Sequence, residues 1–483
     1  GGDATVGAAG RAPGGGAETS TPALAAGPVD PRHLERCERP IALSLRNNRD
    51  RTFVFGNIGG SGGRFCAAAM RGAGLDARFV GATSHVALEK ARQGCSGKEC
   101  LPYQLIWGTL SDYLERESHT FGPDGVVFVS IGRGFQSCRA NLFPVAQQIQ
   151  LERLGYHGTV DMADFTFLFE DWSLISAFWV GSTTLDLLNM LRFYHYATEP
   201  RRGAADALFD RYADRLEALL EAPRQTGKVK GMGDVRGLLS RCEELLGEAA
   251  REFVALDGGR GNGEGGNDDG ERGARGDGHR DELRTIFLSG DIYLRVDEWS
   301  NDDLQRKLAD QGLRIVTEPF GEIFELLAYR DAREYGWTSR LGSKRAATLK
   351  FMRYVVKRLL NAARRHEPWV FWHDVGDVWD ASSPLFDGYP FGESIPTIGG
   401  ALLTYETQPI DGVVVVSPRG CGPALISEAQ LRRGADFPLL FVYNDGDPID
   451  DARLAGFAWR LRAREPRVRP AQASRSTTPG RRP

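Results

Sequence analysis

The fold class is indicated by a segment at residues 51–80, RTFVFGNIGGSGGRFCAAAMRGAGLDARFV. Its first part, RTFVFGN, is a β-branched and aromatic run that ends in Gly and Asn, which is typical of a strand and its exit. A glycine turn follows, then a helix predicted from about Arg64 to Arg71, and then a second strand at DARFV. Strand, glycine turn, helix and strand form a βαβ unit, and such units build parallel sheets. The segment therefore predicts an α/β fold.

Two later strands are nearly identical, DGVVFVS at residues 124–130 and DGVVVVS at residues 411–417. Their apolar centres are typical of strands buried on both faces of a parallel sheet. Chance alone could produce two such generic strands, but each is also followed by a glycine-containing loop and a cysteine, Cys138 or Cys421. Open α/β sheets bind ligands at the carboxyl ends of their strands. We therefore predict two doubly wound parallel-sheet domains, of the Rossmann or flavodoxin type, with helical segments and a site between the domains.

The composition of the 483-residue chain divides it into folded and unfolded parts. We predict a first α/β domain at 38–200, a helical segment at 201–256 and a second α/β domain at 284–463. Three segments hold too few large apolar side chains for their burial to offset the entropy lost on ordering. We predict that these segments are disordered: residues 1–37, 257–283 and 464–483.

Charge and composition exclude several classes of protein. A net charge of −4 at pH 7 argues against a duplex-binding protein that works by phosphate neutralisation. No run of 18 or more apolar residues is present, so we expect no transmembrane helix, and the N-terminus lacks the pattern of a signal peptide. The chain has seven cysteines, and this odd number indicates reduced thiols. We therefore predict a cytoplasmic protein with neither a nucleic acid nor a membrane as partner.

Three cysteines lie in loops beside predicted strand or helix ends, Cys100, Cys138 and Cys421. Cys100 precedes a helix predicted at residues 104–114, where the helix dipole and free amides stabilise a thiolate, although a structural thiol fits this spacing equally well. Three distant thiolates without a close CxxC pair suit an iron–sulfur cluster with one open iron better than a structural zinc site. The remaining thiols are interpreted as core or incidental residues: Cys37, Cys66, Cys95 and Cys242.

Six segments in both predicted domains resemble the iron–sulfur proteins related to 2-hydroxyacyl-CoA dehydratases. The resemblance is closer to the branch found next to, or fused with, acyl-CoA dehydratase activases. The segments that carry it are GNIGGSGGRFCAAAMRGAGLDARFV (56–80), SGKECLPYQLIWGTLSDYL (96–114), DGVVFVSIGRGFQSCRANLF (124–143), SGDIYLRVDEWSNDDLQRKLADQGLRIVTEPFGEIFELL (289–327), PIDGVVVVSPRGCGPALISEAQ (409–430) and DFPLLFVYNDGDPIDDARLAGFAWRLR (436–462).

The resemblance implies a [4Fe-4S] cluster held by Cys100, Cys138 and Cys421, whose open iron meets the thioester oxygen of an acyl-CoA substrate. It also implies two protein partners, an ATP-dependent iron–sulfur activator that delivers one low-potential electron and a second dehydratase-like subunit. The electron produces a ketyl radical, which makes an unacidic proton removable so that water can leave. Two alternatives remain: a non-catalytic electron-relay or scaffold subunit, and an ATP-coupled reductase of small molecules.

The sequence departs from the family pattern at several points. Tyr103 stands where many relatives carry a second cysteine, which argues against a double cluster unless Cys95 contributes a ligand. The Phe expected before the last cysteine motif is replaced in SPRGCGP. The ATPase signatures of the activator are missing, since GSTT at 181–184 is predicted as a helix start and GNIGGSGGR lacks the Lys-Ser/Thr of a P-loop. We therefore do not expect this chain to hydrolyse ATP.

Two further groups of residues are candidates for binding or catalysis. The helix start in the glycine turn could bind a phosphate of CoA, although a plain tight turn is the commoner role of such residues: Gly60, Ser61 and Gly62. Polar residues in a loop-rich stretch before the second cysteine strand could act as acid or base, although lone polar residues in loops are more often structural: His373, Asp374 and Glu393.

Overall fold

A computed structural model describes residues 43–60, 62–122, 124–132, 138–156, 158–224, 230–258, 283–386 and 392–467 of the chain. Two four-stranded sheets form its framework, and all strand pairs recorded in them are parallel. The structure thus confirms the predicted α/β class with two parallel sheets. The predicted disorder of 1–37, and of most of 257–283 and 464–483, lies outside the described residues, and so does Ser61.

The first sheet has the strand order β2-β1-β3-β4. Its register pairs Phe53 of β1 with Ala77 of β2 on one side and with Val127 of β3 on the other. The first strand of the domain therefore lies inside the sheet. The strands are β1 (Thr52–Phe55), β2 (Ala77–Phe79), β3 (Val126–Ser130) and β4 (Val160–Asp164).

The second sheet repeats this arrangement with the order β6-β5-β7-β8. Ile286 of β5 pairs with Ile315 of β6 and with Gly412 of β7. Every residue of β3 and β7 is buried, as their apolar sequences predict for central strands. The strands are β5 (Arg284–Gly290), β6 (Leu313–Thr317), β7 (Gly412–Pro418) and β8 (Leu439–Asn444).

Helices connect and cover these strands. The helices predicted at 64–71 and 104–114 are confirmed, with observed bounds that are longer at both ends. The first are α1 (Gly62–Gly72), α2 (His85–Gly94), α3 (Leu101–Glu117), α4 (Phe143–Arg153), α5 (Trp172–His195), α6 (Ala204–Glu221) and α7 (Lys230–Gly258). The later ones are α8 (Leu304–Asp310), α9 (Glu322–Glu334), α10 (Arg340–Arg364), α11 (Val375–Ser382), α12 (Ser394–Thr407), α13 (Gly422–Gly434) and α14 (Asp451–Arg462).

Helix α5 crosses the core and packs against α6, α7 and strand β6. In the described part of the chain it alone is long and apolar enough to span a membrane, but 78% of its most apolar window is buried inside the protein, as in a core helix. The GSTT sequence at 181–184 lies in the middle of α5, so the predicted helix start there is wrong. Its hydroxyls are used locally, since Thr183 and Thr184 donate hydrogen bonds to carbonyls one turn earlier in the helix.

The strand order determines where loops meet. In each sheet, strand addition changes direction after the second strand, so the loops that follow the first and third strands leave the sheet as neighbours. These are the loops after β1 and β3 in the first sheet and after β5 and β7 in the second. Such a reversal point is where open parallel sheets bind ligands.

Candidate metal and substrate site

A cavity of about 370 Å³ lies between the carboxyl ends of the two sheets. Three cysteines line it together, although they come from distant parts of the chain: Cys100, Cys138 and Cys421. Cys138 lies in the loop after β3, and Cys421 lies directly after β7. Cys100 precedes α3. The structure therefore brings the three cysteines singled out in the sequence to one place, between the two domains.

Each of these thiols stands at the start of a helix. Cys100 is the N-cap of α3, Cys421 is the N-cap of α13, and Cys138 is the N-cap of a short 3-10 helix at Arg139–Leu142. The Ala140 amide donates a hydrogen bond to Cys138 Sγ at 3.5 Å. Free amides and the dipole at a helix start favour the thiolate form, which is the form that binds metals.

Burial has the opposite effect on the same thiols. It raises the pKa of Cys100 to about 11 and that of Cys421 to about 12, and it raises the pKa of Cys138 still further. The amides of Tyr103 and Ala424 only partly offset this effect. The thiols therefore stay protonated at neutral pH until a cation replaces their protons, as a bound metal does.

Two buried carboxyl groups, those of Asp291 and Glu393, line the cavity beside the thiols. Burial raises the pKa of Glu393 well above its usual range, and the charge of Asp291 raises it further. Burial also raises the pKa of Asp291, although Oδ1 of Asp291 accepts hydrogen bonds from the amides of Tyr293 at 3.0 Å and Leu294 at 2.9 Å. Three thiols and two carboxyls thus surround a space in which added positive charge is favoured.

Arg139 joins the three loops that carry the cysteines. It follows Cys138 directly, and its guanidinium donates one hydrogen bond to the Lys98 carbonyl and another, of 3.1 Å, to the Gly420 carbonyl. Lys98 lies two residues before Cys100, and Gly420 lies one residue before Cys421. A single side chain therefore ties the position of each thiol to the other two.

The three thiols are a donor set that both single metal ions and iron–sulfur clusters use. In the described part of the chain, no three His, Cys, Asp or Glu side chains are placed to hold one metal ion. A four-iron cluster binds each thiolate through a different iron, so its ligands stand farther apart than the ligands of a single ion. Soft thiolates select iron–sulfur clusters, copper(I) or zinc. The three cysteines that line the cavity are thus of the ligand type that such clusters and soft metal ions take.

Of the polar residues proposed from the sequence, only Glu393 lies in this cavity. Nε2 of His373 lies 2.9 Å from Oγ1 of Thr404, and burial lowers the pKa of this histidine to about 4. Asp374 is exposed, caps α11 and pairs with Arg353 at 2.6 Å. Neither His373 nor Asp374 lines the cavity, and the acid–base role suggested for them stays a prediction.

The glycine turn after β1 contacts the second domain. Gly59 and Gly60 have positive φ angles of 69° and 54°. A Cβ atom on Gly60 would lie 2.7 Å from the Val296 carbonyl oxygen. The turn therefore needs glycine so that the two domains can approach closely. Gly62 lines a separate small cavity, and the phosphate contact suggested for this turn stays a prediction.

The remaining cysteines lie outside the cavity. Cys66 and Cys242 are buried in α1 and α7, as their helical spacing predicts. Cys95 ends α2 and is absent from the cavity wall, and Cys37 lies outside the described residues. Tyr103 is buried and packs edge-on against Phe143. The cavity wall that the structure describes therefore contains no second thiol from the segment around Cys100.

The sequence matches no protein-family model and no curated protein. The resemblance to dehydratase-type iron–sulfur proteins thus depends on the segments quoted above.

Sequence reasoning missed Asp291. A signal was present, because Asp291 follows β5 directly, at the edge where ligands bind. Its relevance depends on β5 and β7 being neighbours, which becomes visible only with the strand order.

Proposed function

We propose that this chain is a [4Fe-4S] protein of the 2-hydroxyacyl-CoA dehydratase type. It would receive low-potential electrons from an ATP-dependent iron–sulfur activator and use them for radical dehydration, or a related reduction, of an acyl-CoA. The observation that carries the proposal is the convergence of Cys100, Cys138 and Cys421 on one cavity between the two sheets. Three thiolates from three loops are the ligand set that leaves one iron of a cubane open to substrate.

The chain's own residues have separate tasks in this proposal. The three thiols would hold the cluster, which supplies a one-electron couple and an open coordination position when bound. Arg139 keeps the three thiol-bearing loops in register through its two carbonyl contacts. It also adds a positive charge that lowers the pKa of Cys100. A cation beside thiolates offsets part of their mutual repulsion.

Glu393 is the residue best placed to transfer a proton. Its carboxyl group lines the cavity, and burial raises its pKa well above the usual range, which favours the protonated form. A protonated carboxyl can donate to a departing hydroxyl group, which must leave as water in a dehydration. Asp291 lies on the same wall and is held by two backbone amides, so it is positioned to orient Glu393 or the substrate.

The cavity supports an enzyme over a relay or scaffold subunit. An electron relay needs a cluster but no proton donor, whereas the cavity that would hold the cluster also carries two buried carboxyls, those of Asp291 and Glu393. Its volume of about 370 Å³ lies within the range of about 300–1,000 Å³ that is common for ligand sites. We include in the proposal a second dehydratase-like subunit as partner, a cytoplasmic location, and a doubly wound arrangement of the flavodoxin type, which the order β2-β1-β3-β4 supports.

The test is the iron and acid-labile sulfide content after strictly anaerobic purification. We expect about four irons per chain in the wild type and their loss in Cys100→Ala, Cys138→Ala and Cys421→Ala. Cys95→Ala is the matched control, because this thiol lies near Cys100 in sequence but outside the cavity wall, and it should keep its iron. A well-folded wild type without iron would contradict the proposal.

A further inference from the structure

A second cavity, of about 450 Å³, adjoins the thiol cavity. Its wall is built by the segment after β4 and by helices α5, α9 and α10. Eight of its lining side chains are aromatic: Phe165, Phe169, Trp172, Phe178, Trp179, Phe320, Phe324 and Phe351. We call this space the aromatic cavity.

Two side chains belong to the walls of both cavities. Ile131 follows β3, and Ile292 follows β5, and each lines the thiol cavity and the aromatic cavity. The two spaces therefore meet at the reversal points of the two sheets. A ligand in the aromatic cavity would have one end next to the thiols.

The exposed rim of the aromatic cavity is positively charged. Its lining includes three cations, Arg330, Lys344 and Arg345, and one carboxylate, that of Asp331. Asp331 is shared by two of the cations, with contacts of 2.9 Å to Arg330 and 3.4 Å to Arg345. Lys344 is exposed. The rim thus carries a net positive charge that favours an anionic group.

The rim also leaves large apolar side chains uncovered. Phe169 is 55% exposed and Leu341 is 44% exposed, and both line the aromatic cavity. Exposed apolar groups gathered around a cavity are typical of a ligand-binding site, because a ligand that covers them gains hydrophobic free energy. Arg345 lies 5.9 Å from the centre of the Phe169 ring, so charge and aromatic surface occur together at this rim.

We propose that the ligand of the aromatic cavity is an elongated aromatic acid. Its ring system lies among Phe178, Phe324 and Phe351, and its anionic group meets Lys344 and Arg345 at the rim. The end remote from this anion points to the thiol cavity. This inference rests on the proposed function for the chemistry at the thiol end, where the thioester lies. It narrows the acyl group of the substrate to an aromatic one that carries a second, free acid group at the end remote from the thioester.

The experiment measures binding of 2-naphthoate to the full chain by isothermal titration calorimetry. Naphthalene-2-methanol has the same rings without the charge, and acetate has the charge without the rings. We expect 2-naphthoate to bind about threefold to fivefold more tightly than the alcohol at low salt, since a rim ion pair contributes up to about 1 kcal/mol, which is a factor of about five. Acetate should show no binding.

Two variants on α10 test the location of the site. Thr348→Phe fills the aromatic cavity and should weaken 2-naphthoate binding by about tenfold or more, whereas Ala347→Phe, on the exposed side of the same helix, should leave it unchanged. Lys344→Glu should remove the preference for 2-naphthoate over the alcohol, and Lys350→Glu, exposed and outside the cavity wall, should retain it. Unchanged binding in both Thr348→Phe and Lys344→Glu would overturn the inference.

Competition by free coenzyme A tests whether the anion at the rim belongs to the aromatic acid or to the phosphates of coenzyme A. Coenzyme A carries phosphates but no aromatic acid, so we expect it not to compete with 2-naphthoate. Competition would show that the rim binds the phosphates of coenzyme A, and it would overturn the proposal. Binding is measured on the wild type and on Cys100→Ala. Binding that persists in Cys100→Ala while the wild type contains no iron would refute the cluster and leave the aromatic site, whereas intact iron without naphthoate binding would refute only the aromatic site.

Discussion

Replacing Gly60 by alanine tests whether the glycine turn after β1 is a contact between the two domains. The φ angle of Gly60 is 54°, which is unfavourable for alanine by about 1–2 kcal/mol. The new Cβ atom would also lie 2.7 Å from the Val296 carbonyl oxygen, and a backbone atom cannot move aside as a side chain does. Crowding of this kind costs about 1–3 kcal/mol, so the total loss of stability should be about 2–5 kcal/mol.

Gly74→Ala is the matched control for this substitution. Its φ angle is 78°, and a Cβ atom there would meet no other atom within 4 Å. It therefore has the same kind of backbone cost without the clash, about 1–2 kcal/mol. The difference between the two variants isolates the contact with Val296.

The free energy of unfolding is measured by urea titration, with tryptophan fluorescence as the probe. Trp299 is a suitable reporter because it lies in the second domain and packs edge-on against His85 of the first, with 4.9 Å between the ring centroids. We expect Gly60→Ala to lose at least about 1 kcal/mol more than Gly74→Ala. Equal losses would show that the turn is not pressed against Val296.

The other predictions concern single side chains. Arg139→Ala removes two exposed hydrogen bonds between the thiol loops. The iron of the proposed cluster should therefore be released to a chelator about tenfold faster than from the wild type. The fold, measured by circular dichroism, should stay unchanged. Glu393→Gln should lower turnover in an activator-coupled assay by about 100-fold or more with its iron content intact, whereas Asp374→Asn, at an exposed helix cap, should leave turnover unchanged. Burial lowers the pKa of His195, but hydrogen bonds to Asp257 and Glu367 outweigh this effect and raise it. The stabilisation is therefore present below the unfolded pKa of about 6.5 and lost as the pH rises through the higher folded value, so the stability advantage of the wild type over His195→Gln should shrink from pH 6 to pH 9.

Much of the framework was predictable because its signal is local. A strand such as VVFVS at 126–130 is buried on both faces, so four of its five residues in a row are apolar and the pattern needs no knowledge of neighbours. The helix at GSTT was misplaced for the opposite reason. Ser and Thr favour helix starts in isolation, but inside α5 their hydroxyls are satisfied by carbonyls one turn back, and the surrounding apolar residues extend the helix.

The site was only partly predictable, since its residues meet through the strand order. Cys138 and Cys421 could be placed because each follows a recognisable strand. Asp291 and the aromatic cavity could not, because inward-facing aromatic residues such as Phe165 and Phe324 have the same sequence pattern whether they fill a core or line a cavity. That distinction depends on how α5, α9 and α10 pack, which no local pattern contains.

The geometry of the thiol site depends on how the two domains pack against each other. The thiols belong to loops of different domains, so their spacing depends on how the two domains are held together. Contacts between the two domains outside the wall of the thiol cavity fix this arrangement, among them the hydrogen bond of 2.5 Å from Asn57 to Asp297 and the approach of Gly60 to Val296. Because an iron–sulfur cluster tolerates little change in ligand positions, a substitution at this interface should weaken retention of the proposed cluster even where no thiol is replaced. The packing of the two domains thus sets the spacing of the three thiols.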